Sequence, residues 1–218
     1  MFVAGVDDAG RGSVIGPLVI AGVLLNKENL PKLTELGVKD SKQLSPGKRE
    51  RLAEEIKKTA LKHHVIKLSP AQVDEVVETG KKLHKLNWLE ARTMANVISA
   101  LEPDVAYVDA SDVLADRFRT DIMETLEFKV QIISEHKADV KYPIVSAASI
   151  IAKVERDQAI SRLRDTYGDF GCGYATDSKT LQFLENLIRE LGSYPDFVRK
   201  SWKTAKRLKE KAKQTKLV

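Results

Sequence analysis

The sequence predicts an α/β fold, one domain with a helical C-terminal extension, from three observations. Short apolar runs of strand length, at residues 2–6, 18–25 and 105–108, alternate with longer segments whose apolar residues recur at helical spacing. Helix-start signals stand ahead of two of those segments, as Ser45-Pro46 and Ser69-Pro70-Ala71-Gln72. No internal repeat or low-complexity linker divides the 218 residues, which suit a single substantial core.

Taken in order, residues 2–7 and 18–25 read as two buried strands joined by a glycine-rich turn, because both are almost continuously apolar. Residues 30–37 form a short, punctuated segment, and 39–44 (K-D-S-K-Q-L) a polar loop without periodicity. Ser45 caps and Pro46 begins a helix that places Leu52, Ile56 and Ala60 on one face. Residues 65–68 are a short strand. Ser69 and Gln72 make a capping box for a helix over 70–79, broken near Gly80. The next helix, 86–101, carries Leu86, Leu89, Met94, Val97, Ile98 and Leu101 and ends before Pro103. A strand at 105–109 terminates on Asp109. A helix over 112–126 and a strand over 128–134 follow, the latter running into E-H-K-A-D. Residues 145–167 predict a long helix opened by Ser146, Ala147, Ala148 and Ser149, small enough for close approach to a sheet or a substrate backbone. After a glycine-rich break at 168–173, Asp177 or Ser178 caps a helix to about 191. A last helix from about 200 aligns Trp202, Ala205, Leu208 and Ala212.

Charge is distributed unevenly. From Arg199 to the end there are nine Lys or Arg against one acid, so the net +5 is the balance of +8 in this tail and −3 in the other 198 residues. Such a tail attracts polyanions, and nucleic acid is the leading partner class. No apolar run reaches the roughly 20 residues of a membrane span, and the N-terminal residues show no basic leader, so a cytoplasmic protein without membrane contact is expected. Cys172 is alone and there is no CxxC pair, which argues against an internal disulfide and against zinc.

The chemistry rests on carboxylates. Asp7 and Asp8 follow the first apolar run, and paired carboxylates repel unless a cation or proton lies between them. On these residues alone two readings stay open: a turn in which both accept backbone amides, or an acidic site. Asp109 ends one strand and Asp139 follows another, so acids stand at three strand ends, where α/β sheets collect ligand sites. Converging there without histidine or cysteine, they would form a hard oxygen site for Mg²⁺ or Mn²⁺. Two such ions roughly 3.5–4 Å apart activate water and stabilise the leaving oxygen in phosphodiester hydrolysis. His63, His64, His84 and His136 lack the spacing of a transition-metal site, although His136 is near enough to Asp139 to orient a water or phosphate. Trp88 and Trp202 read as core, Asp74, Glu75 and Glu78 as a solvated helix face, and Cys172 as a small filler.

Seven motifs occur in order: D-D-A-G-R-G, D-S-K-Q-L, Y-V-D-A, H-K-A-D, S-A-A-S-I-I-A-K-V-E-R-D, G-C-G-Y and R-K-S-W-K-T. With them the chain resembles the ribonuclease HII family, in its archaeal form, over nearly its whole length. The resemblance implies an RNase H-like mixed five-stranded sheet flanked by helices. It divides the chain into a catalytic region, 1–180, and a basic helical extension, 181–218, packed on the same core and gripping the duplex. It implies a divalent-metal-dependent endonuclease, acting as a monomer on RNA/DNA hybrids and on ribonucleotides embedded in duplex DNA. Incision 5′ of the ribonucleotide would leave 3′-hydroxyl and 5′-phosphate ends. By motif position Asp7, Asp8, Asp109 and Asp139 would be catalytic and hold two Mg²⁺ or Mn²⁺ ions. Gly10, Arg11 and Gly12 would sense the sugar, since glycines admit a substrate to the backbone and the 2′-hydroxyl marks RNA. Tyr174 would pack on the sugar after the ribonucleotide, and Lys42, Arg199, Lys200 and Lys203 would meet phosphates.

The first motif departs from the family's Asp-Glu: Asp8 is one methylene shorter and reaches roughly 1.5 Å less far, an amount that matters in a metal site. Another two-metal nuclease of the superfamily, such as a junction resolvase, and a hybrid-binding protein without catalysis are the competing readings. Gln214-Thr215-Lys216-Leu217 resembles the start of a sliding-clamp-binding peptide, but the aromatic pair is absent and clamp binding is not expected.

Overall fold

The computed structural model describes residues 1–38, 45–81 and 83–215. The chain forms two compact units: Met1–Ala9, Val19–Lys67 and Lys82–Glu155 in the first, and Gly10–Leu18, Leu68–Lys81 and Arg156–Val218 in the second. This division follows compactness and does not run at residue 180.

The first unit is built on a five-stranded sheet in the order β3-β2-β1-β4-β5. Its strands are β1 (Phe2–Ala9), β2 (Leu18–Asn26), β3 (Lys62–Leu68), β4 (Val105–Asp109) and β5 (Gln131–Glu135). β1 pairs antiparallel with β2 and parallel with β4, which is parallel to β5, so the sheet is mixed. Alternation along β1 sorts its side chains between two cores. Val3 joins the short α1 (Leu30–Glu35), α2 (Pro46–Thr59) and the first half of α7 (Pro143–Tyr167). Ala4 and Val6 join α4 (Lys85–Leu101) and α5 (Ala115–Met123). Glycines let two helices close on the sheet: a Cβ on Gly5 would strike the backbone of Ile144 and Val145, and one on Gly22 would meet Val97 and Leu101 of α4.

The second unit holds α3 (Pro70–Thr79), the end of α7, α8 (Ser178–Leu191) and α9 (Lys203–Thr215). The capping box at Ser69 is present, with the Ser69 hydroxyl accepting from the Gln72 amide. Asp177 caps α8 through the Lys179 amide. The amphipathic faces of α8 and α9 close over Val14, Ile15, Phe170, Phe197 and Val198. Among the described residues no helix is long and apolar enough to cross a membrane.

Candidate active site

β1 runs further than its apolar residues foretell. Asp7 and Asp8 pair with Ala21 and Ile20 inside the β1–β2 ladder, so they are strand residues and not the start of a turn. Neighbouring strand residues point to opposite faces. Asp7 lies on the α7 side, hydrogen-bonded to Ser149, whereas Asp8 accepts from the Ser111 hydroxyl at 2.9 Å. Val6 pairs with Val108, which sets Asp7 and Asp109 side by side on one face of adjacent parallel strands.

Asp7 is 5% exposed. Burial, then the charge of Asp8, then that of Asp109 push its carboxyl well above the usual carboxylate range; the Ser149 hydroxyl and the Asp8 amide pull the other way. Ser149 itself accepts from Lys153 Nζ at 2.8 Å, one turn along α7. Asp109 accepts the Ala138 amide at 2.7 Å, and the next residue is Asp139, on the short helix α6 (Ala138–Lys141). Asp139 therefore stands beside the Asp109 end of the sheet. His136 has its ring nitrogens 3.3 and 3.2 Å from the Ala110 and Val113 carbonyls.

Asp7, Asp8 and Asp109 thus share one electrostatic environment. Among the described residues, however, no group of three or more His, Cys, Asp or Glu is gathered to hold a metal ion. The donor set still fits a hard divalent cation: it is all oxygen, and it includes a buried carboxylate made basic by two like-charged neighbours. A cation placed there would relieve the repulsion that now raises Asp7.

Apart from Lys42, the expected recognition residues fall in the second unit. Gly10 has φ +85, and a Cβ there would meet the Pro17 carbonyl at 2.6 Å and the Arg156 side chain at 2.9 Å, so this corner requires glycine. Ser13 bridges Tyr174, and the amides of Val14 and Ile15 donate to the Gly173 carbonyl, which ties the loop to the G-C-G-Y turn. Tyr174 Cε1 lies 3.9 Å from where a Gly12 Cβ would stand, and the Arg156 guanidinium covers the Tyr174 ring at 4.6 Å. Gly12 and Tyr174 are therefore neighbours. Lys203 is the exposed first residue of α9, and the exposed Lys200 reaches Asp196 at 2.9 Å.

Arg199 departs from its expected role. It is fully buried, and its guanidinium donates to the carbonyls of Gly10 and Arg11, so it braces the loop where a phosphate contact was expected. Lys42 lies outside the described residues. Ser111, Lys153 and Arg156 were not singled out from sequence, although Lys153 and Arg156 sit about one and two helical turns beyond the small-residue stretch that was.

The sequence model of ribonuclease HII matches residues 4–205, taking in β1 through to the start of α9. The chain belongs to the ribonuclease HII family. That family is one of endoribonucleases, and the chain is an enzyme of that kind. Ribonuclease HII of Thermococcus onnurineus (strain NA1) is 47% identical over 213 residues, 97% of this chain and 91% of that one. The crystal structure of the ribonuclease H2 from Pyrococcus horikoshii OT3 matches with a TM-score of 0.91 at 43% identity, over 98% of this chain and 100% of that one. Ribonuclease HII from Archaeoglobus fulgidus, solved in a complex with PCNA, matches with a TM-score of 0.84 at 46% identity, over 94% of this chain and 96% of that one. The RNase H-like mixed sheet flanked by helices that the motifs imply is the fold observed.

Proposed function

We propose that this ribonuclease HII relative hydrolyses the RNA strand of RNA/DNA hybrids and incises 5′ of ribonucleotides embedded in duplex DNA. The observation that carries the reading is the buried, like-charged neighbourhood of Asp7 at the end of β1, within a chain of this family. Asp7, Asp8, Asp109 and Asp139 would hold Mg²⁺ or Mn²⁺, two ions during the reaction. Bound there, the ions would polarise the attacking water and offset charge on the leaving oxygen.

The residues supply the rest. Water adds to phosphorus as the bond to the 3′ oxygen breaks, and that oxygen takes a proton, which gives 3′-hydroxyl and 5′-phosphate ends. Ser149 and the Asp8 amide orient the Asp7 carboxylate, Ser111 orients Asp8, and the Ala138 amide orients Asp109. Residues 10–12 and Tyr174 would read the sugar, with Lys200 and Lys203 on phosphates. Residues 1–180 carry the chemistry in this reading and 181–218 grip the duplex. In this reading the protein acts as a monomer.

The test is a duplex with one ribonucleotide beside an all-DNA control, with Mg²⁺ and Mn²⁺ in turn. Cleavage only of the first, 5′ of the ribonucleotide, is expected. Asp109→Asn should lower the rate by at least about a thousandfold while the protein stays folded by circular dichroism; removing a metal-held carboxylate forfeits several kcal/mol of charge stabilisation. Wild-type rates in that variant, or cleavage independent of the ribonucleotide, would overturn the assignment.

A further inference from the structure

Asp74 and Arg199 are both buried ionisable side chains that the proposed chemistry does not use. Asp74, on α3, is 8% exposed and receives three hydrogen bonds from one turn of distant chain: the Lys200 amide at 2.6 Å, the Ser201 amide at 3.0 Å and the Ser201 hydroxyl at 2.5 Å. That turn directly follows Arg199. The Arg199 amide donates to the Val14 carbonyl at 2.9 Å, and its guanidinium packs over Trp202 at 4.8 Å. Its Nη1 and Nη2 then reach the Arg11 and Gly10 carbonyls, both at 2.7 Å. The Ser13 hydroxyl adds a further donor to the Gly10 carbonyl at 2.9 Å.

A guanidinium is suited to this task because its planar fork holds two acceptors at once, which a point-charged ammonium does not. The consequence follows from peptide geometry. In a trans peptide the N–H points away from the C=O of the same unit. Holding the carbonyls of Gly10 and Arg11 inward therefore turns the N–H groups of Arg11 and Gly12 the other way, on a loop whose Gly12 is exposed. Successive outward amides make a concavity for anionic or hydroxyl oxygen.

We propose that Arg199 and Asp74 are positioning residues for ribonucleotide discrimination: Asp74 fixes the turn at 200–201, the turn fixes Arg199, and Arg199 sets residues 10–12 with their amide donors toward the sugar and phosphate oxygens. This rests on the reading of that loop as the sugar sensor. The brace touches no substrate itself.

The test compares binding, by fluorescence anisotropy in chelator, of the full chain to a duplex with one ribonucleotide and to the matching all-DNA duplex, with thermal unfolding of each variant. Arg199→Lys keeps the charge but loses the fork, and Ser201→Ala removes one of the three bonds to Asp74, so both variants leave most of the packing in place. Arg199→Lys should reduce the preference for the ribonucleotide duplex about tenfold, equivalent to about 1.4 kcal/mol, with all-DNA binding within about twofold. Ser201→Ala and Asp74→Asn should shift it the same way, and Ser201→Ala carries the test if Asp74→Asn does not fold. A folded Arg199→Lys that loses affinity equally for both duplexes, or for neither, overturns the brace. Gly12→Ala separates the two claims, since its Cβ meets nothing nearer than Tyr174 at 3.9 Å. If Gly12→Ala keeps the preference, the loop reading falls and the brace with it. If it loses the preference while Arg199→Lys keeps it, only the brace falls.

Discussion

The hydroxyl of Ser111 donates to Asp8 Oδ2 at 2.9 Å, and Asp8 is the residue at which the first acidic motif departs from the family's Asp-Glu. A carboxylate one methylene short is held in place by a neighbour on the loop after β4, a bond to a charged group worth roughly 1.5–3 kcal/mol. The two residues should therefore behave as a pair. In Mn²⁺ titration calorimetry we expect Ser111→Ala to weaken binding about tenfold with Asp8 present, and less than about threefold in an Asp8→Glu background, whose longer side chain reaches past Ser111. Asp8→Glu alone should keep cleavage and shift its metal dependence. Equal losses in both backgrounds would mean that Ser111 acts independently of Asp8. The limit of sequence reading is clearest at this scale. The positions of Asp7, Asp8 and Asp109 after apolar runs were legible, and the shared face of Asp7 and Asp109 follows from sheet register. Asp74 was not legible: beside Glu75 and Glu78 it has the local pattern of a solvated face, and its partners lie 126 and 127 residues away. Arg199 was misread for the same reason, since a basic residue in a basic tail gives no local sign of burial.

Elements announced themselves through local chemistry, and tertiary contacts moved their ends. The helix over 70–79 and the strand over 105–109 have the bounds that capping and apolar length predict. The last helix instead begins at Lys203, because residues 200–201 are drawn into the turn bound by Asp74, and β5 begins at Gln131, later than its apolar run. Ser45 precedes α2 without donating or accepting a side-chain cap bond, so Pro46 alone marks that start. Gly5 tests how closely β1 and α7 must approach. Gly5→Ala should cost about 3 kcal/mol, since its Cβ would strike α7 backbone, while Gly47→Ala, with open space around it, should be neutral or slightly stabilising. Similar melting temperatures for the two would contradict the packing. The link between α4 and α5 has a pH signature. Asp112 is buried and accepts from Arg117, the Leu114 amide and Asn87, and against the cost of its burial these hydrogen bonds, with Arg117's the largest, lower its carboxyl to about 2. A lowered folded value means that its stabilisation is present above the ordinary carboxylate range and is lost as pH falls toward 2. Asp112→Asn should therefore be less stable by about 2 kcal/mol at pH 7, with the gap from wild type closing between roughly pH 4 and pH 2. A constant gap across that range would remove the carboxylate from the explanation.

Across the whole chain, the excess of positive charge is concentrated in the last 20 residues, and its neighbours temper it. Lys200 pairs with Asp196 at 2.9 Å, Lys206 with Glu78 at 3.6 Å and Lys211 with Glu185 at 3.2 Å, all on exposed side chains where each pair is worth no more than about 1 kcal/mol. Pairs this weak exchange readily for phosphate, so the tail would offer affinity without sequence information, as the proposed action at any ribonucleotide requires. On the proposed function, affinity and discrimination would belong to different residues, the first to tail lysines and the second to the braced loop. Lys203→Ala should lower the slope of log affinity against log salt by about 1, and by the same amount on ribonucleotide and all-DNA duplexes, with the preference between them unchanged. Lys211→Ala, already engaged with Glu185, should change the slope by less. A Lys203→Ala variant that keeps its salt slope but loses ribonucleotide preference would move that lysine out of the phosphate grip and into recognition.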